Sequence, residues 1–156
     1  MSKKTNSKLS IPTIPKKEFS EIELLKKTEH YIKKIGHLQD IMMAEQKTAI
    51  LIVLQGMDAS GKDGTVKKVF SGINPSGINV YSFKVPTEYE FAHDFLWRIH
   101  SKTPSKGTIV VFNRSHYEDV LVPSVHKLMD DKTIKKRMDD IVAFENLLQN
   151  NNTIIL

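Results

Sequence analysis

The chain has 156 residues, 40% hydrophobic and 26% charged, with no cysteine and a formal net charge of +5. That is the composition of one soluble globular domain. It excludes disulfides and thiolate metal sites, and no apolar run approaches the ~18 residues of a membrane helix or forms a secretory leader. A cytoplasmic protein with no membrane partner is expected.

The positive charge is uneven. Residues 1–34 carry nine Lys against four Glu, whereas residues 35–156 are formally neutral. A basic leading segment suits a polyanion such as nucleic acid or a phosphate polymer, or is simply a solvated tail and helix face. Residues 1–18, with Pro12, Pro15 and few apolar groups, read as a flexible basic arm. Residues 19–47 form a helical segment: Ser20-Glu21-Ile22-Glu23 is a capping box. Leu24, Tyr31, Ile35, Leu38 and Met42 then recur at helical spacing and are expected to pack on the core, with Gly36 a weak spot.

From residue 48 to 156 strands alternate with helices. Ala49–Leu54 reads as a buried strand and Gly61–Phe70 as a helix. Asn74-Pro75-Ser76-Gly77 is a turn, and Ile78–Phe83 a second strand. A second capping box, Thr87-Glu88-Tyr89-Glu90, opens a helix expected to run through Trp97 to His100. Pro104 and Gly107 break the chain before a strand over Thr108–Phe112. A helix follows over Thr133–Leu148, with Ile134, Met138, Ile141, Val142 and Leu148 on its apolar side. Asn150-Asn151-Asn152 ends it, and Thr153–Leu156 starts a fourth strand. Helical crossovers between strands imply a parallel sheet covered on both faces. Because Leu156 falls inside a strand, the expected domain is truncated.

Chemistry concentrates in three places. Gly56-Met57-Asp58-Ala59-Ser60-Gly61-Lys62-Asp63-Gly64 follows the first strand and fits the Walker A pattern G-x-x-x-x-G-K. Its glycines let the backbone close on an anion, and the helix after Gly61 adds a positive dipole end. Lys62 is placed to reach a transferred phosphate. Asp63 stands where Ser or Thr usually binds Mg²⁺, so it can hold the ion directly or through water; Thr65 lies too far along to substitute. Asp58 can orient or deprotonate an acceptor, hold a second Mg²⁺, or merely stabilise an Asx turn.

The second place is Asn113-Arg114-Ser115-His116-Tyr117-Glu118-Asp119, at the C-terminal end of a strand, where open α/β sheets bind ligands. Asn113 occupies the usual position of a Walker B acid. Arg114 is a fork donor for phosphate. Glu118 and Asp119 either supply negative charge for Mg²⁺ and the acceptor or are solvated acids at a helix start, the latter fitting Asp119 better. His116 lacks a third zinc ligand at suitable spacing and reads as a packed or hydrogen-bonded histidine. The third place is Phe83-Lys84-Val85-Pro86-Thr87, whose Lys84 can line an anion path that Lys67 and Lys68 extend.

These three motifs in order, with Val120-Leu121-Val122 after the second, resemble the polyphosphate kinase type-2 family from about Phe19 to Leu156. The resemblance implies a P-loop kinase-like, three-layer α/β/α fold related to thymidylate kinase, its core at 48–156 incomplete before the lid and last strand. It implies phosphotransfer, part of nucleotide metabolism, between inorganic polyphosphate and AMP, ADP or another nucleoside mono- or diphosphate, with Mg²⁺ as cofactor. Asp58, Lys62 and Arg114 would be catalytic. Gly56, Ala59, Ser60, Gly61, Lys62, Asp63, Gly64, Lys67, Lys68 and Lys84 would bind phosphate. Asn113, Glu118 and Asp119 would bind nucleotide, and Asp58, Asp63 and Glu118 the metal. Polyphosphate replaces nucleic acid as the expected polyanion, and a homo-oligomer is compatible. Asn113 departs from the Asp found in part of the family, and family members continue beyond this point into an Arg-bearing lid. The competing readings are a catalytically weak or inactive phosphate-binding remnant or interaction module, and an ordinary nucleotide-hydrolysing P-loop protein. Asp63 and the Phe83–Thr87 segment argue against the last.

Overall fold

The computed structural model describes residues 19–56 and 59–156. The basic arm at 1–18 and the expected roles of Asp58 lie outside the described residues. Helix α1 spans Glu21–Glu45, with both halves of the Ser20/Glu23 capping box formed. Strand β1 follows at Ala49–Leu54, helix α2 at Lys62–Phe70, and a 3₁₀ turn at Pro75–Gly77. Strand β2 is Ile78–Tyr81, two short helices are α3 Glu88–Phe91 and α4 Trp97–His100, and β3 is Ile109–Asn113. Helices α5, Glu118–Val125, and α6, Asp131–Asn150, lead to β4 at Thr153–Ile155. No helix among the described residues is long and apolar enough to cross a membrane.

The four strands form one sheet in the order β2-β3-β1-β4, with every neighbouring pair parallel. Strand alternation sorts the core into two layers. On one face Leu51, Val110 and Phe112 pack with Phe83, with Ile99 of α4 and with Phe144 and Leu148 of α6. On the other, Ile50, Ile52, Ile109 and Val111 pack with Ile32, Ile35 and Met42 of α1 and Val66 and Phe70 of α2. The expected α/β sheet covered on both faces is therefore present. The connection leaving β1 runs towards β2 and the one leaving β3 runs to β4 on the opposite side of β1. That reversal opens a crevice at the carboxyl ends of β1 and β3.

Four expectations need correction. In the α1 stripe only Ile35 and Met42 pack inward, whereas Leu24, Tyr31 and Leu38 are exposed. The most buried residue of α1 is Gln39, whose side chain donates to Asn74 O at 2.9 Å and accepts from Asn74 N at 2.9 Å. Satisfying that turn places a polar residue on the inward line. Strand β2 ends at Tyr81 rather than Phe83. The helix from Thr87 stops at Phe91, because Asp94 forms an Asx turn, its carboxylate accepting from Leu96 N at 3.0 Å, before α4 begins. On α6, Met138 and Val142 face solvent, and Ile141, Phe144 and Leu148 form the buried side.

Candidate active site

The loop after β1 is shaped by backbone geometry that few side chains tolerate. Gly61 caps α2 at φ 88° and Ala59 adopts φ 61°, the left-handed region that Gly enters freely and other residues enter at a cost. A Cβ on Gly56 would meet Ser60 Oγ at 2.9 Å. The Lys62 ammonium folds back over the loop, donating to Gly56 O at 2.6 Å and Ser60 Oγ at 3.2 Å. The first amides of α2 add the positive end of its dipole at the same place.

The loop after β3 closes the other side. Arg114 turns the chain at φ 64° while its N–H donates to Leu54 O at 3.2 Å, which extends the β1–β3 ladder by one bond. The Asn113 side-chain amide donates to the Asp63 carboxylate, joining the two loops. Gln55 pins the next turn: its Nε2 donates to Glu118 Oε1 at 2.8 Å, and its Oε1 accepts from Ser115 Oγ at 3.2 Å.

Between these loops lies a cavity of about 500 Å³ lined by Ala59, Ser60, Gly61, Lys62, Asp63, Ser82, Lys84, Asn113 and Arg114. A second cavity of about 500 Å³ adjoins it, and Lys84 and Arg114 line both. The second is largely apolar, walled by Phe83, Val85, Pro86, Phe91 and Phe95, with Glu118, Asp119, Arg98 and Arg137 among its polar groups.

The structure gathers Ala59, Ser60, Gly61, Lys62, Asp63, Lys84, Asn113 and Arg114 around one cavity and sends Glu118 and Asp119 to its neighbour. Gly56 contributes its carbonyl to Lys62 without lining the cavity. Gly64, Lys67 and Lys68 are exposed on α2 and line neither cavity. Thr65 turns its hydroxyl to Gly61 O at 3.1 Å. Asp119 is not a solvated acid: Arg98 Nη2 lies 3.4 Å from its carboxylate, and Arg137 donates to its backbone oxygen at 2.8 Å. Burial holds the Asp119 carboxyl above the usual carboxylate range, with the Arg98 guanidinium pulling it down. Among the described residues no three His, Asp or Glu side chains form a metal-holding group.

Behind this turn His116 is fully buried, its Nε2 3.2 Å from Glu145 Oε1, which also accepts from the Tyr117 hydroxyl at 2.8 Å. Burial lowers the His116 pKa against the opposing pull of Glu145. Burial and the Glu145 contact push the Tyr117 phenol up to about 12. Gln55, Arg98, Arg137 and Glu145 are the site-supporting residues that sequence reasoning missed. Only Gln55, between a buried strand and the phosphate loop, carried a positional signal.

The chain matches the family described as polyphosphate kinase 2 (PPK2) over residues 18–156. It is 51% identical over 124 residues to an AMP/ADP-polyphosphate phosphotransferase of Meiothermus ruber, a match covering 80% of this chain and 46% of that protein. It is 47% identical over 105 residues to an ADP-polyphosphate phosphotransferase of Rhodopseudomonas palustris, covering 63% and 36%. The crystal structure of polyphosphate kinase 2 from Arthrobacter aurescens superposes with a TM-score of 0.88 at 32% identity, over 99% of this chain and 56% of that one. The chain thus spans less than half the length of these two curated relatives.

Proposed function

Because the chain belongs to the polyphosphate kinase 2 family, we propose that the protein moves a phosphoryl group between inorganic polyphosphate and a nucleoside mono- or diphosphate, with AMP and ADP as acceptors, in the cytoplasm. The observation that carries this reading is the pair of adjoining cavities divided by two cations, Lys84 and Arg114. Polyphosphate lies in the phosphate-loop cavity against Lys62 and the first amides of α2. The nucleotide lies in the second cavity, its base and ribose among Phe83, Val85, Pro86 and Phe91 and its phosphates towards the shared cations. A terminal phosphate oxygen of the nucleotide forms a new bond to the end phosphorus of the polymer. The bridging P–O bond breaks, and the polymer leaves one unit shorter.

Phosphoryl transfer passes through a loose transition state in which positioning and charge stabilisation supply most of the catalysis. Lys62, Lys84 and Arg114 supply that stabilisation from three different elements of the fold. Mg²⁺ fits the residues present, since it is commonly held by one or two carboxylates together with substrate phosphates and water. Asp63, fixed by Asn113 at the cavity wall, is one such carboxylate, and Asp58 and Glu118 are the further candidates. When bound, the ion neutralises phosphate charge.

The test is to incubate the purified chain with polyphosphate, Mg²⁺ and AMP or ADP. Formation of ADP or ATP that is lost in Lys62→Ala supports the proposal. Polyphosphate binding without turnover would replace it with a phosphate-binding module.

A further inference from the structure

Arg98 is a buried cation to which the transfer chemistry above assigns no task. It is 8% exposed, on the four-residue helix α4. Its guanidinium spans two elements of the site. Nη1 donates to the Lys84 backbone oxygen at 2.8 Å, and Nη2 lies 3.4 Å from the Asp119 carboxylate in the first turn of α5. The Glu90 carboxylate stands 3.9 Å from Nη1, and the guanidinium carbon lies 5.5 Å from the centre of the Phe83 ring. Arg98 therefore ties the backbone of Lys84 to the helix that begins four residues after Arg114. Lys84 and Arg114 line both cavities, whereas Arg98 lines only the second.

Stability alone is a poor account of this pair. Desolvating a guanidinium and a carboxylate offsets much of their attraction, and apolar replacements of buried ion pairs are often neutral or stabilising. Burial outweighs Arg98 in setting the direction of the Asp119 shift, so here too desolvation is the larger influence on the carboxylate. A planar fork with fixed donor directions does, however, set the separation of the two elements it bridges.

We infer that Arg98 is a positioning residue that fixes the spacing of Lys84 and Arg114, and so governs polyphosphate affinity in a cavity it does not itself line. The inference rests on the reading that polyphosphate occupies the phosphate-loop cavity. It is tested by calorimetric titration of linear polyphosphate into the wild-type chain, Arg98→Met, Arg98→Lys and the double variant Arg98→Met/Asp119→Asn, with urea melts of each. The expected result is an affinity about 10-fold weaker in all three variants, within the usual range of coupling between sites. The double variant, which removes the Arg98–Asp119 pair together and leaves the Glu90 carboxylate in its capping contacts with Thr87, keeps the wild-type unfolding midpoint. Lys carries the charge without the two-ended fork, so Arg98→Lys stays weak. Full rescue by Lys would make the effect one of field rather than position and overturn the inference. Affinities within twofold of wild type would also overturn it. Loss of the fold in the double variant would do the same, by making the pair a stability element. Failure of the wild type itself to bind polyphosphate would instead refute the proposed function.

Discussion

Lowering the pH from 7.5 to 5.5 should cost the folded chain stability through one buried side chain. His116 is fully buried against Phe112, Tyr117 and Phe144, and its Nδ1 has no hydrogen-bond partner. An ionised Glu145 carboxylate only accepts, so Nε2 carries the proton of the neutral ring and Nδ1 is left as a bare lone pair. Protonating Nδ1 would bury a charge and an unsatisfied donor together, and burial accordingly lowers the His116 pKa below its ordinary 6.5. A histidine with a depressed folded-state pKa binds fewer protons folded than unfolded, so stability falls as pH drops below 6.5. If the folded ring stays neutral throughout, the loss reaches about 1.4 kcal/mol at pH 5.5 and is nearly zero at pH 7.5. The Glu145 hydrogen bond opposes the shift, so that figure is a ceiling. With a urea m-value of about 2 kcal/mol/M, the ceiling corresponds to a midpoint shift of about 0.7 M. Urea melts at both pH values in wild type and His116→Gln isolate this contribution from the carboxylates. The wild type should lose more stability than the variant on acidification. Equal losses in the two would rule out His116 as the source of the acid sensitivity.

Ile141→Ala, a deletion at a fully buried position of α6, should destabilise the fold by about 2–5 kcal/mol in chemical denaturation. Asp58→Asn should cut phosphoryl transfer far more than polyphosphate binding, as a comparison of rates and titrations will show; equal losses would count against an acceptor-side or metal role. Polyphosphate affinity should fall steadily as salt rises from 50 to 500 mM, because the contacts are charge-based, and a salt-independent affinity would argue against the cationic site.

Much of the fold was legible because local and global signals agree. The run Ala49–Leu54 is a strand buried by both layers, and both capping boxes formed because their reciprocal hydrogen bonds need only neighbouring residues. The inward face of α1 was misread because apolar periodicity does not register Gln39. That residue is buried for its hydrogen bonds to Asn74, which lies 35 residues away in sequence. The phosphate loop and the Asn113–Arg114 turn could be read as site segments from their glycines and their places after strands. Their joining through Asp63 and Asn113 depends on β1 and β3 being neighbours, an order that spacing alone does not encode. Arg98 was invisible for the same reason, since a lone arginine between Trp97 and Ile99 carries no partner in its own segment until the fold brings Lys84 and Asp119 to it.

The proposed function requires that two anions occupy adjoining cavities at once, with Lys84 and Arg114 between them. Titration of ADP into the chain with and without saturating polyphosphate, in wild type and Lys62→Ala, addresses it directly. Saturable ADP binding is expected in both conditions, with Lys62→Ala weakening polyphosphate and sparing ADP. Mutually exclusive binding of the two ligands would contradict it.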